Sequence, residues 1–433
     1  MRPAFVLALL LTLASLPLPA QDLGLTVEAA KPKPPVGSPV QPGIWKLDGT
    51  DPNLPQADLE PLKTVLGKAM IVGLGESIHT SGGFYEAKHR IFRFLVQKMG
   101  FRVLAIENPW LDVERANQYV QTCAGTPEDA IAGFFGVWRS AELRDLVKWM
   151  CDWNRSHKKP KDRLSLVGFD IQWQAQQDSA FLTAFLGRLG IAADPRTAGL
   201  AQCGAVESTF QRREVVPAVP FQACDEAARQ VAQIFAADPQ AIVRQTSKGD
   251  FELAKIHLVG LQSWLEEMFH YNSDFPRSFA ARDRGMAYVF GAFRALRFPK
   301  SKIAVWAHNV HLAKNAPNGY FILTMGTLLG ETYKSAYKNV ALTSHQVSIE
   351  WPGIGCGPTD PPGIGSVENR LHALGHDFLL VDLAFPGTGT PFLAPGANYT
   401  FGWDPIVPRH HYDAVFYLGE SRKMAPLAWM PCR

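Results

Sequence analysis

Apolar positions fall in short runs along the chain, and four of these runs end in an ionisable side chain. Ile71-Val72-Gly73-Leu74 leads through Gly75 to Glu76 and His79. Val103-Leu104-Ala105-Ile106 ends at Glu107, and Leu166-Val167-Gly168-Phe169 ends at Asp170. Ile303-Ala304-Val305-Trp306-Ala307 ends at His308, with His311 just beyond. Short continuous apolar runs read as strands buried on both faces. Between them the period lengthens. Ile91, Phe94, Leu95 and Met99 recur at helical spacing, which predicts a helix over Phe84 to Met99 with Gly100 at its C-cap. Strand, helix and strand in close succession make a parallel βαβ unit. A second cycle runs through helices near Val113 to Thr122 and Ala141 to Asn154 into a strand at Leu164 to Phe169.

The rhythm then becomes purely helical. Patterns at Ser179 to Leu189, Cys224 to Ala236, Phe251 to Phe269 and Phe279 to Leu296 predict a helical lobe over 176–298. Strands resume at Ile303 to Ala307, Val340 to Thr343, Phe378 to Leu383 and Ala414 to Leu418, with a helix at Gly319 to Tyr333. Gly/Pro-rich loops cover Trp351 to Gly365 and Pro386 to Trp403. The expected fold is α/β: a parallel-sheet core over 44–175 and 299–433, helices on both faces, and an inserted helical cap that can close over a site. Four strands ending in polar groups place that site at the C-terminal edge of the sheet.

The ends of the chain add a compartment. Met1-Arg2, an apolar stretch from Phe5 to Leu16, and Pro17-Leu18-Pro19-Ala20 read as a secretory signal over 1–20. The apolar stretch is too short to span a membrane. Residues 21–43, with Lys31-Pro32-Lys33-Pro34-Pro35, read as a tether. An even set of 6 cysteines without CxxC spacing favours disulfides in an exported, periplasmic or extracellular protein. Sequence neighbours suggest Cys123 with Cys151, Cys203 with Cys224, and Cys356 with Cys432. A formal charge of +3 over 433 residues, with no basic stretch carrying interleaved aromatics, argues against nucleic acid.

The chemistry follows from the strand ends. Glu76 beside His79 is the arrangement of a general base that activates water, the carboxylate orienting the ring. His308 and His311 can stabilise an oxyanion, or join Glu76, Glu107 or Asp170 around a metal. Glu107 and Asp170 each close a buried strand and need a partner, for which Lys88, Arg90 and Arg282 are candidates. Lys88, Arg90, Asp170 and Arg282 are therefore candidate substrate-binding residues. Arg282-Asp283-Arg284 opens the helix before the His308 strand. Gly-x-Ser-x-Gly is absent, and Gly73-Leu74-Gly75 lacks the third glycine of a dinucleotide fingerprint. No cofactor is expected, and HExxH is absent. Three readings stay open: a hydrolase, a metallohydrolase on the same His/Glu cluster, and a non-catalytic small-molecule binding protein.

Gly75-Glu76-Ser77-Ile78-His79, Phe84-Tyr85-Glu86-Ala87-Lys88-His89-Arg90, Gly100 to Glu107 and Val167 to Gln172 resemble, in order, blocks of the erythromycin esterase family. Arg282 to Ala287, Val305 to His311 and Asp413 to Phe416 resemble its later blocks. The resemblance spans about residues 65 to 420. It implies hydrolysis of an ester or macrolactone without a covalent acyl-enzyme. His79 would be the base on water, Glu76 and Glu107 the family's glutamates, and His308 and His311 its late histidines. Resistance members cleave macrolides, but the signal segment, the cysteines and the helical insert depart from them. Chemistry transfers better than substrate.

Overall fold

The computed structural model describes residues 39–191, 194–317, 321–351, 355–385, 399–401 and 404–427. The expected signal segment, most of the tether and Cys432 lie outside these residues. So do Gly319, where a helix was expected to start, and nearly all of the Pro386 to Trp403 loop.

Twelve strands are described: β1 (Pro39–Gln41), β2 (Ile44–Lys46), β3 (Ile71–Leu74), β4 (Phe101–Pro109), β5 (Ser165–Asp170), β6 (Lys302–Trp306), β7 (Tyr337–Trp351), β8 (Gly355–Pro358), β9 (Phe378–Asp382), β10 (Tyr399–Phe401), β11 (Asp404–Ile406) and β12 (Ala414–Ser421). All but β10 and β11, which pair with each other, form one sheet of order β1-β2-β9-β12-β7-β3-β6-β4-β5, with β8 on β7. From β12 to β5 the strands run parallel. The β9 strand is antiparallel to β12 and to β2.

Position in the sheet explains the site. β3 and β4 are consecutive in sequence but not neighbours, because β6 lies between them. Leu74 pairs with Trp306, Trp306 with Ile106, and Ile106 with Gly168. That register brings four strands to a common line at their C-terminal ends, and the polar residues follow immediately. The strands are buried on both faces, as their continuous apolar runs required.

One face of the sheet offers Val72, Leu74, Leu104, Ile106 and Trp306 to α2 (Gly82–Met99), which follows α1 (Pro61–Leu66). α3 (Trp110–Thr122) and α4 (Ala141–Ser156) add to that layer. The other face offers Ile71, Val103, Ala105, Ile303 and Val305 to the helical stretch between β5 and β6. Its longer members are α5 (Ala175–Arg188), α6 (Cys203–Gln211), α7 (Ala218–Ala237), α8 (Lys248–His270) and α9 (Phe275–Arg297), and no strand interrupts them among the described residues. Gly100 ends α2 at φ 78°, the left-handed C-cap its position implied. Cys123–Cys151 and Cys203–Cys224 form the expected disulfides, closing separations of 28 and 21 residues. The third expected pair involves Cys432, outside the described residues.

Three expectations need correction. The tether is shorter than 21–43, because Pro39–Gln41 is an edge strand, where a proline at the first position removes no ladder bond. The strand expected at Val340 to Thr343 is a 15-residue strand, Tyr337–Trp351, whose far half pairs antiparallel with β8, itself within the expected Gly/Pro loop. Arg90 is a scaffold residue. It is fully buried, donates to both oxygens of Asp58 at 2.9 and 2.6 Å, and also to the Gly49 carbonyl at 2.9 Å and the Pro55 carbonyl at 2.5 Å. It fastens the 49–58 segment to α2. Asp58→Ala leaves that guanidinium buried without its counter-charge and should lower stability by about 3–5 kcal/mol. Denaturant unfolding measures the loss, and turnover at 25 °C should stay near the wild-type value.

Candidate active site

Gly75 makes the first contact possible. A Cβ there would lie 2.0 Å from Asn309 Oδ1, so only glycine lets β3 pass the turn after β6. Asn309 N–H donates to the Glu76 carbonyl at 2.8 Å, and its side-chain amide to the Leu342 carbonyl at 2.9 Å. The backbone of Glu76 is thereby fixed. Its side chain is fully buried between two cations or potential cations: His79 Nδ1 lies 2.9 Å from Oε1, and Lys88 of α2 pairs with Oε2. Lys88 also donates to the Ala307 carbonyl at 3.3 Å and lies 4.3 Å from the centre of the Trp306 ring. With 0% of its side chain exposed, Lys88 holds Glu76 from beneath and cannot meet a substrate directly.

His79 reaches solvent with 17% of its side chain. Its Nε2 has no hydrogen-bond partner among the described residues. Trp138 packs edge-on at 4.8 Å, His308 at 5.2 Å, and Trp351 lies at 6.0 Å.

Glu107 anchors the second half of the cluster. Its Oε2 accepts the His308 backbone N–H at 2.8 Å. Its Oε1 pairs with Arg282 at 2.9 Å and with His311 Nε2 at 3.2 Å. Arg282 is also bound by Asp170 at 2.5 Å, and Asp170 accepts the N–H groups of Ile171 and Gln172. His311 Nδ1 donates to Asp283 at 2.7 Å, while Phe279 stacks on its ring at 4.8 Å. His308 engages both ring nitrogens: Nε2–H donates to the Ser77 carbonyl at 2.9 Å and Nδ1 accepts from Val310 N–H at 3.2 Å.

Three histidines thus share one site in three states. Burial lowers His79 to about 4, with Glu107 only partly opposing it, so the ring is neutral at neutral pH. Burial and the neighbouring His79 and His311 lower His308 to about 3. For His311 burial also works against charge, but Asp283 and Glu107 outweigh it and raise the imidazole to about 9. Burial works against the Glu107 carboxylate, but His311, with His79 and Arg282, holds it well below the usual carboxylate range.

The structure brings Glu76, His79, Lys88, Glu107, Asp170, Arg282, His308 and His311 together and leaves Arg90 outside. Three expected roles change. His308 has no free nitrogen for a metal or an oxyanion, Asp170 orients Arg282 rather than facing a ligand, and Lys88 is buried against Glu76 rather than open to a substrate. Arg282 does not open its helix, since α9 begins seven residues earlier, at Phe275. Asp283, Asn309, Trp138 and Trp351 escaped sequence reading. Asp283 alone left a signal: it follows Arg282 on a helix turned toward the site.

Glu76, His79 and Glu107 offer ligand atoms within 4.8 Å of one another, a spacing that suits a metal. The donor set does not. Glu76 is already bound by His79 and ion-paired with Lys88, and Glu107 is already bound by Arg282, His311 and the His308 N–H, so the compensating charge is supplied by the protein.

The erythromycin esterase family model matches residues 96–421. The chain belongs to the erythromycin esterase family. The matched stretch begins inside α2, so it includes Glu107, Asp170, Arg282, His308 and His311 but not Glu76 and His79. "Putative hydrolase YbfO" of Bacillus subtilis (strain 168) is 26% identical over 415 residues, covering 84% of this chain and 87% of YbfO. Erythromycin esterase type II of Escherichia coli is 23% identical over 332 residues, covering 70% and 74% of the two chains. Among solved structures, an EreC erythromycin esterase mutant in its open conformation superposes with a TM-score of 0.69 at 19% identity, over 87% of this chain and 97% of EreC. A succinoglycan biosynthesis protein gives 0.70 at 19% identity, over 88% and 96%. These two share the fold. As an erythromycin esterase-family chain, the protein is a hydrolase.

The histidine states predict a stability maximum. Folded His311 keeps its proton up to about pH 9, while an unfolded histidine loses it near 6.5, so its contribution is complete below 6.5 and lost as pH rises through 9. His79 and His308 act oppositely: their contributions are complete above 6.5 and lost as pH falls toward about 4 and about 3. Melting temperature should therefore peak near pH 6.5. In His311→Gln the alkaline fall, worth about 3 kcal/mol in the wild type, should flatten.

Proposed function

We propose that the protein is an exported esterase that hydrolyses an ester or lactone with water activated by His79, and forms no acyl-enzyme. One observation carries this reading. His79 is neutral, partly exposed and tethered to Glu76 through Nδ1, which leaves the Nε2 lone pair turned to whatever enters the site. Ligand atoms of Glu76 and Glu107 lie within 4.8 Å of one from His79, so both carboxylates stand close to the proposed base.

The steps follow from these contacts. Nε2 takes a proton from water as its oxygen bonds to the carbonyl carbon. Glu76 stabilises the imidazolium through Nδ1–H. The tetrahedral oxyanion faces Arg282, the cation of the cluster with 15% of its side chain exposed. Glu107 and Asp170 hold that guanidinium in place. As the C–O bond breaks, Nε2–H protonates the leaving alkoxide, and an acid and an alcohol result. Two disulfides fit an oxidising compartment and support residues 1–20 as an export signal. Among the described residues no helix is long and apolar enough to cross a membrane.

Hydrolysis of p-nitrophenyl esters and of macrolactones including erythromycin, by wild type and His79→Ala, tests the proposal. The variant should fold normally and lose about 10²–10⁴ in kcat, and chelator should leave wild type unaffected. Wild-type turnover in a folded His79→Ala protein would overturn the mechanism. Ligand-induced stabilisation without hydrolysis of any ester would assign a binding protein instead.

A further inference from the structure

Beyond the end of β12 the chain leaves the sheet but stays bonded to the structure beside it. It crosses the rim of the His79 pocket and bonds in turn to each of its walls. The Arg422 carbonyl accepts the N–H groups of Gly82 and Gly83 at 2.8 and 3.3 Å. These are orphan donors in the first turn of α2, whose own N-cap residue Ser81 makes no side-chain cap. Ser81 Oγ lies 2.5 Å from Ser421 Oγ instead. The Met424 N–H donates to the Thr80 carbonyl at 2.9 Å, and its side chain is 1% exposed. Ala425 accepts from Ala141 N–H at 2.8 Å and Leu427 donates to the Arg139 carbonyl at 3.0 Å, on either side of Ser140. Arg422 pairs with Glu86 and Glu142 at 2.7 and 2.6 Å, and Lys423 pairs with Glu350 at 2.7 Å.

Three of these anchors, Thr80, Arg139 and Glu350, adjoin His79 or an aromatic ring that packs on it. Thr80 is next to it in sequence, at φ 66°, a conformation that a β-branched residue adopts only under constraint. Thr80 is fully buried and held from three directions: its N–H by Tyr85 Oη at 2.8 Å, its carbonyl by Met424, and its hydroxyl by Glu350 N–H at 3.4 Å. Tyr85 in turn donates to the Val137 carbonyl beside Trp138. Glu350 precedes Trp351, the other aromatic wall.

We infer that residues 422–427 form a strap that sets the position of His79 and its two tryptophan walls, with the Met424 N–H and the Lys423–Glu350 pair as its positioning contacts. The inference rests on the reading of His79 as the base. Without the strap, Thr80 can relax toward an ordinary backbone angle, the His79 ring can swing off Glu76, and water can enter between Trp138 and Trp351. A misplacement of about 1 Å in such a group costs on the order of 10²-fold in rate.

Met424→Pro and Met424→Ala separate the bond from the packing. Both lose the buried side chain, but only proline lacks the N–H. His79 is followed by ring NMR in protein labelled at histidine Cε1, and kcat and KM are measured on the best ester of the panel. The two variants should melt at similar temperatures. In Met424→Ala, His79 should titrate as in wild type and kcat should change less than about threefold. In Met424→Pro the titration of His79 should move up toward that of a hydrated histidine, and kcat should fall by about 10- to 100-fold with a smaller change in KM. Equal His79 titration and equal kcat in the two folded variants would overturn the inference. Should Met424→Pro not fold, Lys423→Glu, Glu350→Lys and their combination decide. The single charge reversals should lower kcat, and the pair should restore it; no loss in either single variant would overturn the strap. Failure here with His79→Ala inactive removes the strap alone, whereas an active His79→Ala removes the mechanism beneath it.

Discussion

A carboxylate at the end of a buried strand is costly unless a cation is built beside it. Two such carboxylates, Glu76 and Glu107, stand at the same edge of this sheet, and much of the surrounding structure answers to them. Lys88 comes from α2 to meet the first, and Arg282 from α9 to meet the second. The helices on opposite faces of the sheet are thus tied through its rim. Asp170 holds Arg282 and Asp283 holds His311, so each compensating charge has a fixed partner of its own. A site prepared this way needs little reorganisation when charge appears on a substrate.

Much of this was legible in the chain. The apolar runs located β3, β4, β5 and β6, and the residue after each run proved to be at the shared edge. What local pattern could not supply was neighbour order. β3 and β4 look like adjacent members of a βαβ unit, yet β6 separates them after nearly two hundred intervening residues. Only long-range packing decides that, and it is what sets His308 and His311 between Glu76 and Glu107. The misassignment of Arg90 was avoidable. Lys88 and Arg90 are two apart on a helix, hence about 200° around its axis, and both cannot face one site. Lys88 turned toward the sheet edge, and Arg90 toward the segment before β3.

The aromatic residues that line the pocket were invisible for a different reason. Trp138 lies in a short 3₁₀ turn and Trp351 at the far end of a strand that outruns its apolar signal. Neither carries periodicity. Their role is dielectric: they exclude water from one side of His79 and so strengthen its interaction with Glu76. Trp138 adds a fixed bond, its indole N–H donating to the Glu107 carbonyl at 2.6 Å. It therefore links His79, on which it packs, to the second carboxylate residue through the backbone.

The proposal of His79 as the base follows from what the three histidines have left to offer. His308 is neutral, but both nitrogens are committed to backbone groups, so it can only pack. His311 is charged and committed to two carboxylates, so it has no lone pair to give. His79 alone combines a neutral ring, one nitrogen bound to a carboxylate and one nitrogen open. A motif that counts histidines treats the three alike; their hydrogen bonds do not. The same accounting explains why a divalent ion sits poorly here, since every carboxylate oxygen it would need already faces a donor. The electrostatics of the cluster are closed around everything except one imidazole nitrogen and one face of a guanidinium. In the proposed hydrolysis an ester carbonyl with its attacking water fills that gap: the water meets the nitrogen as its proton leaves, and the carbonyl oxygen meets the guanidinium as its charge develops.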